Sequence, residues 1–253
     1  MKFILSEVYS QYKNDILKIL DVFKTDGVIV GHGNRNTVKF FNVDQLKFNF
    51  KSFKQHNVIN RHVYKYYRKS KARRSYEYAN LLLNKNFYTP TPIAYVEFYD
   101  FWGLTSSYYI SEQLEDCFPL TDALHNSEFS DRAQIFKSYA SLIYNLHENG
   151  IEFIDNASGN FLIKKENGVH NFYLVDLNRM NFHTDFPTDK RLRNFARLTN
   201  DNETMKIIST EYSKLSGIPI EYCLQKINDA SAKMVRKRKI KKILKFYKYF
   251  LKK

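Results

Sequence analysis

The stretch IEFIDNASGNFLIKKENGVHNFYLVDLNRM, residues 151–180, sets two acids and an amide around one short turn. Its apolar runs FLI and FYLV are separated by KENG, a turn former, and this predicts the two strands of a hairpin. Asn160 stands just before the first strand and Asp176 just after the second, so strand pairing brings both to one end of the hairpin, with Asp155 on the loop leading in. Asn and Asp offer the hard oxygen ligands that hold Mg²⁺ together with water and phosphate oxygens. Asp155, five residues before Asn160, is left to orient or deprotonate a hydroxyl. Plain turn chemistry also favours Asp and Asn at loop edges, where they cap backbone groups. Their joint placement, downstream of a helix that stops at Gly150, is what argues for chemistry.

Upstream, SDRAQIFKSYASLIYNLHENG carries Ile135, Tyr139, Leu142 and Leu146 at helical spacing, with Ser130 as the cap and Gly150 as the stop. From Thr188 onward the chain reads as helical, with a break at SGIPIEY. The N-terminal half is extended instead. GHGNRN is a turn containing Gly31 and Gly33, TVKFF and LKFNFKSF are strands joined by the turn NVDQ, and IAYVEF and SSYYISEQL are two more. Strand alternation puts Asn49, Lys51 and Phe53 on one face and Phe48, Phe50 and Ser52 on the other, with Lys47 sharing the parity of Lys51 and Lys54 opposing it. Between these strands lies a helix from about Ser70, with Ala72, Tyr76, Ala79 and Leu83 on its spacing. The expectation is an α+β fold in two lobes, residues 1–112 rich in sheet and 113–232 rich in helix, with a cleft between them and a basic tail over 233–253.

The order glycine-bearing loop, strand Lys51, helix Glu77, then Asp155, Asn160 and Asp176 resembles the protein-kinase-like fold. Within it, FNFKSF, SKARRSYEYANLLLNKNFYTPTPIAY and LVDLNR are most similar to the lipopolysaccharide core kinases, the family of Kdo and heptose kinases, over roughly residues 27–200. The resemblance implies an ATP- and Mg²⁺-dependent phosphotransferase acting on a sugar hydroxyl of the lipid A core glycolipid. It assigns Gly31 and Gly33 to covering phosphates, Lys51 to the α- and β-phosphates, Glu77 to holding that lysine, Asp155 to the acceptor hydroxyl, and Asn160 and Asp176 to the metal. Phe153 and Ile154 replace the His and Arg that protein kinases carry before the catalytic Asp, and Asn36 replaces their third loop glycine. Asp176 is followed by Leu177 and Asn178, so the glycine hinge of regulated protein kinases is missing, in keeping with a small-molecule or glycolipid kinase. Arg179 either neutralises an anionic acceptor or braces Asp176. Rival readings are a kinase for another hydroxyl-bearing molecule such as an aminoglycoside, or a catalytically inert kinase-like binding module.

Composition bounds these readings. The chain of 253 residues can bury a sizeable core, and 43% hydrophobic content excludes a disordered chain. Two cysteines, Cys117 and Cys223, give neither a zinc cluster nor a disulfide framework. The start lacks a secretory pattern and no long apolar run occurs, so the expectation is a cytoplasmic protein held peripherally at the inner face of the inner membrane. Of the net charge of +14, eleven positive charges come from KMVRKRKIKKILKFYKYFLKK, residues 233–253, which contains no acid. Met234, Ile240, Ile243, Leu244, Phe246, Tyr247, Phe250 and Leu251 interleave with those lysines and arginines, a pattern that favours a helix on an anionic membrane surface over nucleic acid. Oligomeric state is not legible.

Overall fold

The computed structural model describes residues 1–30, 36–53, 61, 64 and 68–250, with side chains through residue 244. Gly31, Gly33 and Lys54 lie outside the described residues. The chain divides into two compact units, one of residues 1–116 with 173–178, the other of residues 117–172 with 179–253.

The first unit is an antiparallel six-stranded sheet with a helix on each face. Its strands are β1 (Lys2–Leu5), β2 (Val28–Ile29), β3 (Asn36–Val43), β4 (Leu46–Phe53), β5 (Pro92–Asp100) and β6 (Gly103–Glu112), ordered β1-β5-β6-β4-β3-β2. The alternation in LKFNFKSF decides the layering. Phe48 and Phe50 turn to one face and pack with Ile16 and Phe23 of the N-terminal α1 segment (helix Lys13–Val22). Phe53 turns to the other, against Ala72 and Tyr76 of α2 (Lys71–Asn84). Ser70 caps α2 by accepting from the Arg73 amide at 3.0 Å. The buried stripe of α2 is Ala72, Ser75, Ala79 and Leu82. Leu82 ends it, and the expected Tyr76 and Leu83 flank the stripe half-buried. β1 and α1 are additions to the elements expected from sequence.

The second unit holds β7 (Phe118–Pro119), α3 (Leu120–His125), α4 (Arg132–Glu148), β8 (Ile151–Phe153), β9 (Phe161–Glu166), β10 (Val169–Leu174, whose last two residues cluster with the first unit), β11 (Met180–Phe182), α5 (Thr188–Arg193), α6 (Asn202–Ser216) and α7 (Ile220–Phe250). The predicted hairpin is β9–β10, extended by β7 on the β9 side. α4 buries Ile135, Phe136, Tyr139, Ala140, Ile143, Leu146 and His147. Ser130 is not its cap: the position before Arg132 is Asp131, in the left-handed region at φ 59°, without a capping side-chain bond. Gly150 does stop the helix. Its φ is +69°, and a Cβ there would stand 2.2 Å from the His183 carbonyl oxygen, so the β8–β11 pairing needs glycine at this point. No described helix is long and apolar enough to cross a membrane.

Candidate active site

In the first unit the site grows from β4. With Phe48 and Phe50 facing α1, Lys51 emerges on the other face, and its Nζ lies 2.7 Å from Asp176 Oδ1 and 5.7 Å from the Phe53 ring centre. Asp176 is held there by the end of β10. The Leu174 amide donates to the Tyr88 carbonyl at 3.0 Å, Thr89 Oγ1 donates to the Leu174 carbonyl at 2.8 Å, and the Tyr88 and Tyr173 rings stack. Asp176 itself adopts φ +60°, a conformation that Asp tolerates better than bulkier residues. The buried Asn178 amide donates to the same Oδ1, and no described residue hydrogen-bonds Oδ2.

The expected pairing of Glu77 with Lys51 is not formed among the described residues. Glu77 Oε2 lies 2.8 Å from Lys69 Nζ and Oε1 lies 2.8 Å from Arg73 Nε. The reason is local. Arg73 precedes Glu77 by one helical turn and meets its side chain without any tertiary arrangement. Burial raises the Glu77 carboxyl, but the hydrogen bonds from Lys69 and Arg73 outweigh it and hold its pKa below the usual carboxylate value.

In the second unit Asp155 is clasped by two guanidinium groups. Arg179 Nη1 lies 2.9 Å from Oδ1 and 3.1 Å from Oδ2, and Arg197 Nη2 lies 3.1 Å from Oδ1. Arg179 thus binds Asp155 within the second unit. Asn160 closes the loop: its Nδ2 donates to the Asp155 carbonyl oxygen at 2.8 Å. A carbonyl partner fixes which end of the amide is nitrogen, and Oδ1 is left as the available ligand atom.

Below this loop runs a polar network that sequence reasoning did not find. Fully buried Asn156 accepts from the Tyr139 hydroxyl and donates to the Asn194 carbonyl at 3.1 Å. Asn194 donates to the Phe153 carbonyl at 2.9 Å, and its Oδ1 meets His147 Nε2 at 3.2 Å, while His147 Nδ1 meets the Tyr212 hydroxyl at 2.9 Å. Burial pushes the His147 pKa down to about 3 against the opposing Asn194 bond, so the ring is neutral. Phe153, in the place of the kinase histidine, is itself buried edge-on to Phe161, 5.6 Å between ring centres. Support that a loop histidine would give comes here from His147 and Asn194. Only the adjacency of Asn156 to Asp155 hinted at this in sequence; Asn194 and Arg197 lie about forty residues away with no local motif.

The donor set suits Mg²⁺. Asn160 in the second unit and Asp176 in the first each offer a hard oxygen without a partner among the described residues, and no group of three or more His, Cys, Asp or Glu suited to a metal occurs among them. Each is a hard oxygen of the kind that Mg²⁺ takes together with phosphate and water oxygens.

No curated protein matches the chain. Among solved structures, WaaP in complex with acyl carrier protein aligns at a TM-score of 0.63 and 17% identity, covering 94% of this chain and 98% of that one, which shows a shared fold. The Rio2 kinase–ADP/Mg²⁺–phosphoaspartate complex from Chaetomium thermophilum aligns at a TM-score of 0.47 and 14% identity, over 90% of this chain and 77% of that one. The α+β architecture, with sheet in the N-terminal unit and helix in the C-terminal unit, is kinase-like. The model of the lipopolysaccharide kinase (Kdo/WaaP) family matches residues 21–217, and the chain belongs to that family.

Proposed function

We propose that the protein transfers the γ-phosphoryl group of ATP to a sugar hydroxyl of the lipopolysaccharide inner core, a Kdo or a heptose. The observation that carries this reading is the Asp155 loop: a carboxylate fixed by two arginines, with Asn160 tied to its backbone, in a chain of the lipopolysaccharide kinase family. Asp155 receives the acceptor hydroxyl and its proton, and Arg179 and Arg197 fix the carboxylate in one orientation. Lys51 carries a positive charge toward the phosphates. Asn160 Oδ1 and Asp176 are the ligands for Mg²⁺, which when bound offsets charge on the transferring phosphoryl group. Gly31 and Gly33 cover the nucleotide phosphates in this reading.

The acceptor is a membrane glycolipid, and α7 supplies a means of staying near it at the inner face of the inner membrane. Its first turns are anchored, with Cys223 and Ile227 buried and Lys226 on Asp189 at 2.8 Å. Farther on, Ile240, Ile243 and Leu244 are exposed among lysines and arginines, the arrangement of a helix lying on anionic headgroups. Mass analysis of core glycolipid from cells with the gene, without it, and with Asp155→Asn tests the reading. One phosphoryl group present only in the first is the expected result, and identical glycolipid masses in all three would overturn it.

A further inference from the structure

The β5–β6 hairpin ends in a turn that carries two large aromatic residues at its tip. Asp100 pairs with Gly103 in the strand register, leaving Phe101 and Trp102 as the two loop residues. Two-residue hairpin loops favour Asn, Asp and Gly, because backbone conformation and solvation select small polar side chains there. Here instead Phe101 is 83% and Trp102 58% exposed, their rings perpendicular with centres 5.3 Å apart. The turn is rigidly built beneath them. Asp100 Oδ1 accepts from the Trp102 amide at 2.8 Å and the Gly103 amide at 3.1 Å, and Gly103 takes φ +125°, which suits glycine alone.

We propose that the Phe101–Trp102 tip is a membrane wedge that inserts into the interfacial layer of an anionic bilayer. Three observations select a bilayer over a protein. First, two aromatic side chains offer at most about 150–250 Å² each, well short of the roughly 800 Å² per partner that a stable protein interface buries. Second, indole favours the headgroup boundary, with an apolar body and a polar N–H, and the neighbouring phenyl ring suits the layer just below it. Third, Asp100, the acid at the tip, is paired with Arg61, so it brings no unpaired negative charge to the headgroups. This wedge is independent of the phosphotransfer reading and of the basic helix.

Trp102 is the chain's one tryptophan, so its fluorescence reports on the tip alone. The full-length protein is mixed with vesicles of phosphatidylethanolamine and phosphatidylglycerol, with and without brominated acyl chains, and sedimentation is measured in parallel. The expected result is blue-shifted emission on binding, quenching by the brominated lipid and protection from aqueous iodide. Phe101→Ser, at a solvent-exposed position, is expected to weaken partitioning by about 10-fold or more. Sedimentation with unchanged Trp102 emission would overturn the proposal in favour of docking by the basic helix. Absence of sedimentation, or a blue shift that follows protein concentration without vesicles, would equally overturn it, the latter pointing to a second copy of the chain.

Discussion

Two acids of the candidate site sit in environments of different construction. Asp176 reaches Lys51 through a strand end and is braced by one amide, that of Asn178. Asp155 rests on a loop fixed from beneath by Asn156, Asn194, His147, Tyr139 and Tyr212, all buried and mutually bonded. The lesson is that the first is a pair of charges brought together by chain path, and the second a geometry over-determined by a polar core. A loop with Phe153 in place of the protein-kinase histidine can keep its shape when such a core surrounds it, because every buried polar group in the network has a partner.

The largest expected effect tests the charges. Asp176→Ala is expected to lower phosphotransfer by about 10³-fold while leaving the fold intact, since the side chain lies at a loop edge and its loss removes one hydrogen bond besides the charge. Lys51→Met should follow with a loss of about 10²-fold, whereas Glu77→Gln, whose partners are Lys69 and Arg73, should stay within about threefold of the parent. Turnover measurements on the three variants decide it. A Glu77→Gln loss as large as that of Lys51→Met would mean that Glu77 leaves its local partners for Lys51 during turnover.

The next effect tests the polar core. Asn194→Ala removes bonds to the Phe153 carbonyl, Asn156 and His147 in a site without water access, and is expected to cost about 3 kcal/mol of stability. Asn178→Ala removes one bond and should cost about 1 kcal/mol. Urea unfolding midpoints measure both. Equal losses would erase the distinction between the two regions.

How much of this was legible follows from range in sequence. The hairpin, Gly150 and the parity of Lys51 were readable because each depends on neighbours within a few residues: alternation, a turn former, a helix stop. At Glu77 the expected pairing rested on a family pattern, whereas the carboxylate meets Arg73, one helical turn away. At Ser130 a good cap residue lost to chain geometry one position later. The Asn156–Asn194–His147 network and Arg197 were not readable, since His147 sits on the apolar stripe of α4 like a core residue and meets Asn194 only through packing. Polar residues joined across tens of positions leave no period in the sequence.

The last expected effect is a pH dependence carried by His147 beneath the second region. His147 stays neutral in the folded chain, its pKa pushed from 6.5 to about 3 chiefly by burial, with Arg191 and His183 adding to the depression and Asn194 and Glu152 opposing it. The unfolded chain binds a proton at this residue below its ordinary pKa, and the folded chain does not. Unfolding therefore takes up a proton between these two values, and stability falls as pH drops through that window, by at most about 1.4 kcal/mol per pH unit. From about pH 7 to about pH 5 the contribution amounts to about 2 kcal/mol. Other groups titrate over the same range, so the measurement is a difference: urea midpoints of the parent and of His147→Gln across the window. Glutamine has an amide that can still donate to Asn194 but has nothing to protonate, and its stability should decline less steeply toward acid pH. Parallel slopes for the two proteins would mean that the imidazole takes its proton without unfolding, and that the core beneath Asp155 is looser than its hydrogen bonds imply.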